Sequence, residues 1–186
     1  MSLKSGLTAL MLLPLFAAAW AQAGDEEFKV RSAWVNLRDS VFEVNARIAY
    51  PLDARVQTAL DAGASVHFEL ECVVLKQNRY WLDSTLVDVM LHRELTWNGL
   101  TQRYVLRQQE SSEQQSFTTL DEALAAAGEV VDWPVVVEPQ LDSDATYSIR
   151  VRAGYRRGSP ARLRALLPWL DGWTRHTDWH SWVLPH

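Results

Sequence analysis

Two imidazoles and a carboxylate lie within five residues at His176-Thr177-Asp178-Trp179-His180. On a helix the histidines would share a face; on a strand, positions 176, 178 and 180 would align, and either arrangement can hold a divalent cation. No glutamate completes the helical zinc-protease pattern and no upstream third ligand stands out, so the segment reads as a solvated terminus, with no metal. Nucleophilic chemistry lacks its frame as well. No G-x-S-x-G elbow occurs, and Ser159 in Gly-Ser-Pro suits a turn. Cys72 alternates with Phe68, Leu70 and Val74 on an apolar face, where a desolvated thiol is inert. Glu69 and Glu71 sit two apart on the wet face of the same run, whereas glycoside hydrolysis needs carboxylates facing each other across a cleft. Glycine-rich phosphate loops are missing too. The expectation is a chain without a catalytic set and without a cofactor; a hydrolase with an unrecognised carboxylate cleft ranks last.

Tryptophan is the anomaly, with nine in 186 residues. Trp81 and Trp182 are expected to fill a core. Trp169 and Trp173, beside Pro168 and Gly172, are expected in an exposed patch, and with Trp179 they are the candidate binding residues. Exposed indole rings suit protein interfaces and sugar faces alike.

The N-terminus carries an address. Lys4, the apolar run Leu7–Trp20 and Ala21-Gln22-Ala23 have the three parts of a secretory signal, so residues 1–23 read as a signal peptide cleaved after Ala23. Residues 24–186 then form a single domain located in the periplasm or secreted, with no membrane span after cleavage. One cysteine excludes an internal disulfide framework. The net charge of −5 grows more negative once Lys4 is lost, which disfavours nucleic acid as a partner.

The elements that must position these residues follow from period and punctuation. Residues 28–38 change apolar phase near Ser32 and Ala33, which predicts a β-bulge. Phe42, Val44, Ala46, Ile48 and Tyr50 alternate with polar residues and complete a hairpin. Asp53 is placed to cap a short helix carrying Val56, Ala59 and Leu60, which Gly63 ends. A strand follows through Val66–Val74, then a long segment from Arg79 to Trp97, with Asn98-Gly99 predicting a two-residue hairpin turn back through Tyr104 and Leu106. Glu110–Ser116 reads as loop. Thr119 and Glu122 have capping-box spacing for a second helix that stops at Gly128. Val130–Val137 reads as a strand pushed to an edge by Pro134, Tyr147–Tyr155 as another, and Trp179–Leu184 as the last. Seven or eight strands and two short helices, with no βαβ rhythm, predict a mainly β, antiparallel, immunoglobulin-like β-sandwich.

Arg79-Tyr80-Trp81-Leu82-Asp83, Leu95–Tyr104, Ser116–Leu124 and Ser181-Trp182 together resemble an uncharacterised exported bacterial family, domain of unknown function 4390. The resemblance implies an envelope-facing protein with no assigned activity, linked to envelope signalling through a neighbouring membrane histidine kinase. The functional expectation is a non-enzymatic protein-binding module whose partner is a sensor kinase's periplasmic domain. The alternative is a module that binds carbohydrate or cell-wall fragments through exposed tryptophans.

Overall fold

The computed structural model describes residues 27–51, 53–111, 113–158 and 174–184. The expected signal peptide, Trp169 and Trp173 lie outside them. The chain is mainly β with two short helices, in the order β1 (Lys29–Arg38), β2 (Val41–Ala49), α1 (Ala54–Asp61), β3 (Val66–Lys76), β4 (Ser84–Asn98), β5 (Arg103–Gln108), β6 (Gln114–Phe117), α2 (Leu120–Gly128), β7 (Glu129–Val137), β8 (Tyr147–Arg157), β9 (Thr174–His176) and β10 (His180–Val183). These strands form two antiparallel sheets. One has the order β1-β2-β7; the other runs β10-β8-β3-β4-β5-β6, with β9 also paired to β8.

Alternation builds the core. Phe42, Val44, Ala46 and Ile48 of β2 join Phe68, Leu70 and Cys72 of β3 and Ile149, Val151 and Tyr155 of β8 in one buried cluster, which Leu60 of α1 and Leu124 of α2 complete. Such a dry cluster, at roughly 25 cal/mol per Å² of apolar surface removed from water, supplies most of what holds the sheets together. The phase change in β1 is a register slip between Val30 and Ser32. Pro134 lies in β7, which is an edge strand of its sheet as expected.

Both helices start as their capping residues dictate. Asp53 accepts from the Arg55 amide at 2.9 Å, and beyond the helix Gly63 takes φ +74°, where a side chain would be strained. Thr119 and Glu122 complete both legs of the capping box, and the Thr118 hydroxyl, together with the Thr119 bonds, holds the Glu122 carboxyl below its usual pKa. The end of α2 is secured from afar. Arg93 of β4 donates from Nη1 to the carbonyls of Ala126, Ala127 and Glu129 at 3.0, 3.0 and 2.7 Å. No basic residue stands in the helix's own last turn, so β4 supplies the cation that the helix dipole favours there. Gly128 is required for a different reason: a Cβ would sit 2.1 Å from the Ile48 carbonyl oxygen.

Three expectations are corrected. The Asn98-Gly99 connection is a four-residue turn between Asn98 and its partner Arg103. Asn98 Oδ1 accepts the amides of Leu100 and Thr101 at 3.1 and 3.2 Å, and Gln102, not Gly99, takes the left-handed conformation. The polar run Glu110–Ser116 contains the start of β6, a short strand whose exposed side chains give no burial pattern to read. With β9, it raises the strand number to ten among the described residues. The long segment from Arg79 starts as loop, and β4 begins only at Ser84.

Candidate functional site

Trp179 is half-buried beside β8. The guanidinium carbons of Arg150 and Arg152 lie over its ring at 4.4 and 4.6 Å from the centroid. Residues two apart on a strand share a face, so β8 presents both cations to one indole. The same row binds the two carboxylates. Arg152 donates to Glu71 Oε2 from Nε and Nη2 at 3.2 and 2.6 Å, and Arg156 Nε donates to Glu69 Oε1 at 2.9 Å. Across the β3–β8 ladder Glu71 lies directly opposite Arg152, whereas Glu69, opposite Gly154, reaches Arg156 on the diagonal. Ion pairing, rather than acid–base chemistry, is what this arrangement supplies.

The remaining chemical candidates stay apart. His176 packs so close to Gly154 that a Cβ there would lie 2.6 Å from its Nδ1. Asp178 and His180 are exposed, and His180 tilts against Trp182 at 5.6 Å. Among the described residues no group of three His, Cys, Asp or Glu side chains is placed to hold a metal. Cys72 is fully buried, and desolvation pushes its thiol up to about 12, so it is core. A cleft of about 300 Å³ opens over Arg93, lined also by Gln108, Glu113, Gln115 and Glu129. Its one cation is engaged by the α2 carbonyls and Gln108, and burial lowers its pKa.

The site that sequence reasoning missed lies at the tip between β3 and β4. Trp81, expected in the core, is 85 % exposed; Tyr80 and Leu82 are 82 % and 93 % exposed. The reason is positional: residues 79–83 precede the first residue of β4, and among the described residues no strand pairs with them. The loop is nonetheless braced. Asn78 Nδ2 donates to the Leu82 carbonyl at 3.0 Å, and the Asn78 amide donates to Asp83 Oδ1 at 3.2 Å. Arg79 stacks over the Tyr80 ring at 5.7 Å. Two turn-forming residues, Asn78 and Asp83, bracket the four between them, and that bracket was the available signal. The other tryptophans are less open. Trp97, Trp133 and Trp182 are partly buried against the core, the last as expected, while Trp34 is 40 % exposed on β1.

Among the described residues no helix is long and apolar enough to cross a membrane. The family described as Domain of unknown function (DUF4390) matches over residues 25–183, so the chain belongs to that family. No curated protein and no solved structure matches it.

Proposed function

We propose that this member of the DUF4390 family is an exported envelope module of immunoglobulin-like topology that docks a protein partner without catalysing a reaction, and that the β3–β4 tip is its principal contact. The tip carries the proposal. Arg, Tyr and Trp are the residue types that concentrate binding energy at protein interfaces, and here they stand consecutively at 79–81. Because Asn78 and Asp83 already hold the loop, little ordering entropy remains to be lost on binding. Three large side chains exposed above four-fifths, side by side, also form the kind of apolar patch that marks an interaction surface.

Strand order supports the proposed topology: β1-β2-β7 and β10-β8-β3-β4-β5-β6 follow strands A-B-E and G-F-C-C′-C″ of a variable-type immunoglobulin domain, with β6 added at the edge beside β5. Tyr147, at the start of β8, accepts the Asp142 amide at 2.9 Å, the contact a tyrosine corner makes in such domains. Export is supported by the three-part signal over residues 1–23. The partner proposed is the periplasmic domain of an envelope sensor kinase, and Trp169 and Trp173 are proposed as a second contact. Calorimetric titration of that purified domain with wild type, Trp81→Ala and Trp169→Ala/Trp173→Ala tests the reading. Wild type should bind and Trp81→Ala should weaken binding by at least about thirtyfold, a hot-spot loss of roughly 2 kcal/mol. Equal affinity of Trp81→Ala and wild type would remove the tip from the account.

One observation favours a second reading. Trp34, 40 % exposed on β1, is flanked by the exposed side chains of Asn36 and, on β2, Arg47, polar planar groups of the kind that accompany sugar stacking. Titration with soluble cell-wall fragments, comparing wild type with Trp34→Ala, decides it; a flat response excludes it.

A further inference from the structure

Strand β4 is paired unevenly. β3 runs beside it from Ser84 to Leu95, whereas β5 covers only Arg93–Asn98. The β5 side closes at His92, whose amide donates to Glu110 Oε1 at 2.8 Å and whose carbonyl accepts from the Gln109 amide at 3.0 Å. Backbone groups alternate sides along a strand, so Asp88 and Met90 turn theirs toward the stretch that β5 has left. Among the described residues no strand pairs with that side. Leu86 has no partner in the β3 ladder, a bulge that confines the regular run to Val87–Leu91.

The side chains along this lane match the open backbone. Leu86 and Met90 are 38 % and 45 % exposed, and Val87 and Val89 are only partly buried although they pack on the core. The charge is one-sided. Asp88 is exposed and has no ion-pair partner among the described residues, while Glu110, held by the His92 amide and 3.0 Å from the His92 ring Nδ1, closes the lane at one end. A second copy of this edge would bring another Asp88 to it, and like charges on neighbouring strands repel.

Resting on the reading of this chain as a protein-docking module, we infer that the β4 lane takes an extended segment of the partner by strand addition, a segment whose apolar residues alternate with basic ones, one of them pairing with Asp88. The test is amide NMR of the exported chain titrated with an acetylated, amidated Val-Lys-Val-Lys-Val-Lys-Val peptide. Shifts should concentrate at Val87–Leu91, and hydrogen exchange should slow at Asp88 and Met90. Methylating the peptide nitrogens that face β4, or replacing its lysines by glutamate, should weaken binding by at least about tenfold, the worth of one or two net hydrogen bonds or a charge pair. Asp88→Lys should reverse the preference between the lysine and glutamate peptides. Shifts elsewhere, binding indifferent to methylation, no binding at millimolar peptide, or self-association of the chain through this edge would each overturn the inference. The tip reading fails or stands separately: Trp81→Ala should leave peptide binding unchanged while weakening binding of the sensor kinase's periplasmic domain.

Discussion

Trp179 and Trp81 are the same residue in opposite employment. Trp179 lies against β8 with two guanidinium groups over its ring, and those arginines belong to a row that also holds Glu71 and Glu69. Among the described residues Trp81 has no neighbour of that kind; its loop is braced by Asn78 so that the ring stands in solvent. One ring stabilises the sheet, whereas the other is available to something outside the chain. The difference teaches that tryptophan content alone does not locate a binding surface. What the neighbouring strand does with its charges decides whether a ring is spent inside or left outside.

The comparison breaks most visibly in stability. Trp179→Ala should lower the unfolding free energy by about 2 kcal/mol, from lost packing of a half-buried ring and two cation–π contacts, read by urea denaturation. Trp81→Ala should stay within about 0.5 kcal/mol of wild type in the same measurement, as surface substitutions do. Equal losses in the two variants would erase the distinction.

Asn78→Ala sharpens it from the tip side. The side-chain bond to the Leu82 carbonyl disappears, the loop gains freedom, and partner affinity should fall about fivefold, roughly 1 kcal/mol, with little change in the denaturation midpoint. A larger loss of stability than of affinity would mean that the loop braces the sheet rather than presenting the tip.

Cys72 offers the smallest and most local readout. Its thiol is raised to about 12 by burial, so at pH 8 it is protonated and sheltered, and labelling by iodoacetamide requires opening of the core. Under moderate urea, Trp179→Ala should label faster than wild type and Trp81→Ala at the wild-type rate. Labelling that accelerates equally in both would show that the tip, too, supports the core.

Much of this architecture is written locally. The alternation of Phe42 to Ile48 and of Val66 to Val74, the Asp53 cap and the Thr119–Glu122 box all act within a few residues, and each is found where its spacing places it. What escaped depends on distant or unpatterned chain. The Arg93 latch on α2 joins residues more than thirty apart. Both the Arg150–Trp179–Arg152 stack and the Glu71–Arg152 pair depend on which strands neighbour β8. β6 carries Gln and Ser on an exposed edge and leaves no hydrophobic period. Trp81 was misplaced because a large ring in a partly alternating stretch looks like core until the strand start at Ser84 is known.

The claim that the tip meets a partner is tested most directly by ¹⁹F NMR of 5-fluorotryptophan-labelled chain, with resonances assigned by single substitution, as the proposed partner, a sensor kinase's periplasmic domain, is added. The Trp81 signal should shift and lose its solvent isotope effect at saturation, while the Trp179 signal holds its position. An unmoved Trp81 resonance in a demonstrably formed complex would contradict the account.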